Sequence, residues 1–211
     1  MMKKGTVLTL RHLHGFTFFR KNRLLFLLLI CFVLTMLLGV MVFGKSTRAA
    51  QTAATLCESF LSKRQNADFW QVFGSSLAGT FLLVTSAFLI GASLFGMMTA
   101  PLFLGFCGFW FGTFSANLYA SYSLKGVAFY AVSVVPPAVV FLIGFLLAVR
   151  ESFAFSLTVA KQTLPKNVPS GLYLAFKTYC GKYLGVFFFA VSSSVLDALL
   201  SVFFLKHFSL S

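Results

Sequence analysis

The stretch Tyr183–Leu205, YLGVFFFAVSSSVLDALLSVFFL, decides the fold. It is long enough to cross a bilayer, whose ~30 Å hydrocarbon core takes about 20 helical residues. Four comparable runs precede it, at Leu24–Phe43, Leu77–Phe95, Leu102–Ser121 and Val127–Val149. Apolar residues fill every face of these runs, whereas a membrane barrel would alternate over about ten residues. The expected fold is therefore an all-α integral membrane protein, a bundle of about five transmembrane helices. Composition points the same way: 59% of the 211 residues are hydrophobic, 29 are Phe and only 10% are charged. No soluble domain of this size buries so much apolar surface.

The chain has 17 Lys and Arg against 4 Asp and Glu, a formal charge of +13. The bases flank the apolar runs, which is the pattern of topology determinants and lipid head-group contacts. It is not the pattern of a nucleic-acid patch, and the bilayer is the expected partner. The arm 1–23 carries Lys3, Lys4, Arg11, Arg20, Lys21 and Arg23, and the segment 150–182 carries Arg150, Lys161, Lys166, Lys177 and Lys182. Both fall on one side, eleven bases against six, so the N-terminus is expected in the cytoplasm and the C-terminus outside. The membrane domain is then 24–205, with an outer loop 44–76, an inner segment 150–182 and a short outer tail 206–211. The first span exceeds the 7–15 residues or so of a signal-peptide core and reads as a retained anchor, although Arg48-Ala49-Ala50 offers small residues for cleavage.

Outside the spans, the arm is amphipathic, with His12, Phe16 and Phe19 or Leu13, Phe16 and Arg20 on a common helical face, and suits the membrane surface. His12 and His14 within it have no acidic partner and read as head-group-facing residues rather than a metal pair. In the outer loop, 49–62 is expected as a helix with Ala53, Leu56 and Phe60 on one stripe. Asp68 can cap the following helix, with Gln71 three residues on as in a capping box. Asp68, Phe69 and Trp70 form a candidate partner loop, Trp70 lying at head-group level. On the inner side, Pro165 and Pro169 divide an extension of the fourth helix from a helix that Ser170 can cap. Cys31, Cys57, Cys107 and Cys180 lack metal-ligand spacing and read as small apolar fillers.

No Ser-His-Asp set, H-E-x-x-H, phosphate loop or acidic metal pair is present, so no catalytic, metal or cofactor site is expected. The notable residue is Asp197, a formal charge in the middle of an apolar span. Ser193 and Ser201 flank it at i−4 and i+4, with Ser194 at i−3. At 1.5 Å per residue Asp197 lies roughly 21 Å along its helix and Asn117 roughly 22 Å along the third. Ser133 and the Pro136-Pro137 pair fall near the same depth. One polar cluster is expected from Asp197, Asn117, Ser133, Ser193, Ser201, Pro136 and Pro137. It serves helix packing around a neutral acid, a contact with a partner protein, or an ion or proton step. For helix packing, Gly105, Gly108 and Gly112 share a face of the third span, and Ala92 and Gly96 make a small-xxx-small pair. The uncharged Gly96–Pro101 link implies a tight hairpin between spans two and three.

In order and spacing the chain runs through a basic arm and first span, Asn66-Ala67-Asp68-Phe69, and Gly91 with Gly96-x-x-x-x-Pro101. It continues through Gly105-Phe106, Gly112-Thr113-Phe114, Val134-Val135-Pro136-Pro137 and Ser194-Val195-Leu196-Asp197-Ala198. Over nearly its whole length this resembles the stage II sporulation protein M family. That family usually has a polar residue where this chain has Pro137, and Glu where it has Asp197. The resemblance implies a multi-pass protein in the mother-cell septal membrane of an endospore-forming bacterium. Its implied role is that of a non-enzymatic scaffold for membrane-anchored sporulation proteins, including the cell-wall hydrolases that drive engulfment. The competing expectation is a transporter or permease subunit with a substrate or ion path near Asp197, although the five unlike spans lack the internal repeat common in transporters.

Overall fold

The computed structural model describes residues 22–43, 47–65, 67–163 and 171–205. The arm through position 21, both of its histidines, Asn66, Pro165, Pro169, Ser170 and the tail 206–211 lie outside the described residues. Among the described residues regular structure is helical throughout. The elements are α1 (Arg23–Phe43), α2 (Thr47–Gln65), α3 (Phe69–Ala92), α4 (Gly96–Phe129), a π-helical segment Tyr130–Val134, α5 (Val135–Thr163) and α6 (Leu172–Leu205). Five segments are long and apolar enough to cross a membrane: Arg23–Phe43, Phe69–Ala92, Gly96–Ser121, Tyr130–Gln162 and Leu172–Phe203. The remaining helix, α2, is too polar to span.

Two connections differ from expectation. The hairpin between spans two and three turns at Ser93–Phe95, and Gly96 already begins α4, leaving Pro101 inside a helix. So close to the helix start, Pro101 deprives only the Met97 carbonyl of its α-helical donor. The second difference is that no break in helical backbone separates spans three and four. In a straight helix Phe103 and Phe145 would be roughly 63 Å apart. Their ring centroids are 5.9 Å apart, and Phe111 meets Tyr130 at 6.0 Å. The chain therefore reverses between Ser121 and Tyr130 while remaining locally helical.

The core is built from Leu28 and Phe32 of α1, Val84 and Ala87 of α3, Leu104 of α4, Phe145 and Val149 of α5, and Tyr183 and Val186 of α6. Its tightest seam joins α1 to α4. A methyl group on Gly112 would run into the Met36 carbonyl, and one on Gly108 would lie 2.8 Å from the Phe32 carbonyl. Gly105 faces Thr35 less closely, and Gly39 of α1 abuts the Phe109 backbone in return. The absence of side chains lets two backbones meet, which is how apolar helices gain packing energy where lipid competes for every contact. Ala92 does not share this role. It is exposed, and its neighbour Gly91 is the residue packed inward, against Ser152 and the Tyr179 hydroxyl. Gly96 packs beside Ser156 from the first turn of α4, not from the second span.

Hydroxyls fasten the end of the bundle that holds the α3–α4 turn. Ser152 Oγ donates to the Ala87 carbonyl at 2.8 Å, and Tyr179 donates to the Phe88 carbonyl at 2.9 Å. Ser156 Oγ donates to the Ser93 carbonyl at 2.9 Å and accepts from the Met97 amide at 2.9 Å. Replacing Gly112 with Leu is expected to destabilise the protein by at least the ~1–3 kcal/mol of ordinary overpacking. Gly74→Ala, where a methyl meets open space, is expected to stabilise it slightly. Thermal unfolding in detergent measures both.

Candidate functional site

The site is built by α2, the helix that does not span. Its sequence, TRAAQTAATLCESFLSKRQ, is rich in alanine and helix-compatible polar residues and carries one inward stripe. That stripe is Cys57, Phe60 and Arg64, at i, i+3 and i+7. The expected stripe through Leu56 is incorrect, since Leu56 is exposed. Cys57 packs with Leu118 of α4, and Phe60 meets Phe114 edge-on at 5.4 Å. Arg64 then lies with Cζ 3.9 Å over the Phe60 ring, a cation–π contact that aims the guanidinium at the bundle.

There it meets Asp197. Arg64 Nη1 donates to Asp197 Oδ1 at 2.6 Å and Nη2 donates to Oδ2 at 2.5 Å, a bidentate pair. Nη1 also donates to Ser201 Oγ at 3.0 Å. The two side chains retain only 9% and 11% of their exposure. The reading of Asp197 as a neutral acid bonded to a serine or a freed carbonyl gives way to an ion pair. Both carboxylate oxygens are engaged, so an ion or proton step at Asp197 would first require Arg64 to leave.

The single polar cluster expected at this depth is divided into separate contacts. Ser201 joins the Arg64–Asp197 pair. Asn117 is buried on α4 and hydrogen-bonds the Cys57 side chain, holding α2 to α4. Ser193 Oγ donates to the Pro137 carbonyl at 2.8 Å, joining α6 to α5. Ser194 donates to the Ala190 carbonyl and pairs with Thr80 of α3 at 3.2 Å. Among the described residues no hydrogen bond ties Asn117, Ser133 or Ser193 to Asp197.

Pro136 and Pro137 open α5 and lack the donors that an α-helix would direct at Val132 and Ser133. The backbone just before them widens to the π form. Since Ser193 faces Pro137 on antiparallel helices, Ser133 lies about level with Asp197. Its hydroxyl is buried and unpartnered.

Next to this site, α3 begins at its cap. The Asp68 amide donates to Gln71 Oε1 at 3.4 Å, the returning half of a capping box. Phe69 stacks on Phe73 at 6.2 Å, Trp70 stands edge-on to both, and Trp70 is 74% exposed.

Sequence reasoning missed Arg64, which it counted only among the outer bases. The legible signal was its spacing from Phe60 on an amphipathic helix, together with an unpaired carboxylate inside the last span. Cys57 was read only as a small apolar filler, although it lies at the centre of the α2 contact.

Removing either member of a buried ion pair strands the other. Arg64→Ala or Asp197→Ala is therefore expected to cost about 3–5 kcal/mol, and the apolar double variant Arg64→Met/Asp197→Leu much less. Thermal unfolding of the three proteins tests this non-additivity. Burial is the main cause of a raised Cys57 thiol pKa, with Glu58 adding to it and the Asn117 hydrogen bond opposing it. The thiolate is the reacting form, so a raised pKa moves its onset to higher pH. In a protein retaining only Cys57, alkylation should be slow at pH 8.5 and become faster, with onset at lower pH, once Asp197→Ala releases α2.

No protein family, curated protein or solved structure matches the chain.

Proposed function

We propose that this protein is a non-enzymatic membrane scaffold whose α2 helix and adjoining start of α3 receive partner proteins. The observation that carries this reading is the Arg64–Asp197 pair, which fixes a non-spanning helix onto a membrane bundle. Such an ion pair is a poor source of net stability compared with apolar packing, so its use here suggests that the position of α2 matters. Docked α2 leaves Leu56, Glu58 and Ser59 exposed, and Trp70 is exposed in the first turn of α3. Exposed aromatic and aliphatic groups on a rigid element are the usual anchors of a protein interface.

With the N-terminus in the cytoplasm, as the basic residues favour, this surface faces the cell wall. The resemblance to the stage II sporulation protein M family then supplies the partners: membrane-anchored sporulation proteins, including peptidoglycan hydrolases at the mother-cell septal membrane. The transporter reading is weaker because both oxygens of its central carboxylate are occupied by Arg64.

Co-purification from mildly solubilised membranes of a sporulating host tests the proposal. Recovery of a murein hydrolase is expected, with a large drop for the surface variant Leu56→Arg/Trp70→Ala, which leaves the ion pair intact. Recovery of an ATP-binding subunit, or hydrolase recovery indifferent to the surface variant, would overturn it.

A further inference from the structure

At the end of the bundle opposite α2, α5 and α6 form a second site that the scaffold reading does not use. The spanning segments Tyr130–Gln162 and Leu172–Phe203 contain 33 and 32 residues. At 1.5 Å per residue they extend roughly 50 Å, well beyond a ~30 Å hydrocarbon core. The excess emerges beyond the α3–α4 turn, because α3 ends at Ala92 and its last turns are bound by Ser152 and Tyr179.

At that level α5 and α6 flank an open groove of about 370 Å³. Glu151 and Lys182 line it and are joined at 2.6 Å. Phe155, stacked on Tyr179 at 4.5 Å, and Leu174 give it an apolar wall, while Thr158 and Thr178 add hydroxyls. Half of the Lys182 side chain remains exposed, whereas Glu151 is mostly covered. The groove is thus apolar along part of its length and polar at a cation that stays accessible.

Charge at this end is unbalanced. Arg150, Lys161, Lys177 and Lys182 stand against Glu151 alone, since the other three acids of the chain are Glu58, Asp68 and Asp197 at the opposite end. Glu151 is already engaged by Lys182. Tyr173 and Phe176, exposed at the start of α6, are suited to the membrane interface.

We propose that this groove binds an anionic glycerophospholipid. Its phosphate meets Lys182 Nζ, the Thr178 hydroxyl turns to it from the Leu174 carbonyl that it donates to at 2.9 Å, and its glycerol and upper acyl chains lie along Leu174 and Phe155. An accessible cation in a groove at the basic end of the bundle has the charge to select such a head group, and the apolar wall ties that selection to a lipid rather than a free phosphate. Glu151 holds Lys182 over the groove and also competes with the phosphate for it. Removing the Glu151 charge should therefore strengthen binding.

Native mass spectrometry of the full chain, titrated with dioleoyl-phosphatidylglycerol, dioleoyl-phosphatidylethanolamine and glycerol 3-phosphate, tests the proposal. Phosphatidylglycerol should bind in preference to the other two. Lys182→Gln should weaken it about fivefold, the scale of one cation's contact with an anionic lipid. Glu151→Gln should tighten it, and this gain separates lost binding from lost folding. Lys177→Gln, on a base that does not line the groove, should change it little. The proposal is overturned by equal losses from Lys177→Gln and Lys182→Gln, which would mean diffuse attraction. It is also overturned by no gain from Glu151→Gln, by phosphatidylethanolamine binding as tightly, or by glycerol 3-phosphate displacing the lipid.

Discussion

A carboxylate among apolar helices must find a partner, and that requirement organises the α2 end of this molecule. The bases of α6, Lys177 and Lys182, lie fifteen or more positions from Asp197. It is satisfied by a guanidinium carried in from a segment that would otherwise have little reason to rest on the bundle. Phe60 and Cys57 add apolar contact, but α2 is short on hydrophobic residues and its inward stripe is narrow. Direction and register come from the fork of Arg64, which matches two oxygens at once. Asn117, Ser201 and the π-helical turn ahead of Pro136 are arranged around the resulting contact.

The fold was largely legible because the bilayer restricts the choices. Runs such as Tyr183–Leu205 can only be spanning helices, and Asp68 with Gln71 announces where α3 begins. The glycines of the third span were also readable as a close-approach face, although only the structure identifies α1 as the helix they meet. Turn positions were harder. The residues between Ser121 and Tyr130 keep helical backbone through a reversal, and no proline or glycine pair marks the site where the chain doubles back.

The site was less legible for a different reason. Depth along a helix can be counted, and counting puts Asp197, Asn117 and Ser133 near one level. Rotation about each helix cannot be counted so easily, and it decides which neighbours meet. It turns Asn117 toward Cys57 and Ser193 toward Pro137, leaving Asp197 to a residue 133 positions away. Ala92 shows the same limit, because a shift of one residue, about 100° around the helix, transfers its expected role to Gly91.

That separation also sets an order of events during synthesis. Ribosomes add about 5–20 residues per second, so roughly 7–27 s pass between the appearance of Arg64 and that of Asp197. Throughout that interval Arg64 lacks its carboxylate partner, although α4 has appeared and can already pack on α1. The bond between Arg64 and Asp197 closes only when the last span has been inserted. It is thus a mark of completion: a chain truncated before α6 would hold α2 by its apolar contact with α4 alone, a difference that a quality-control protease at the membrane surface could read.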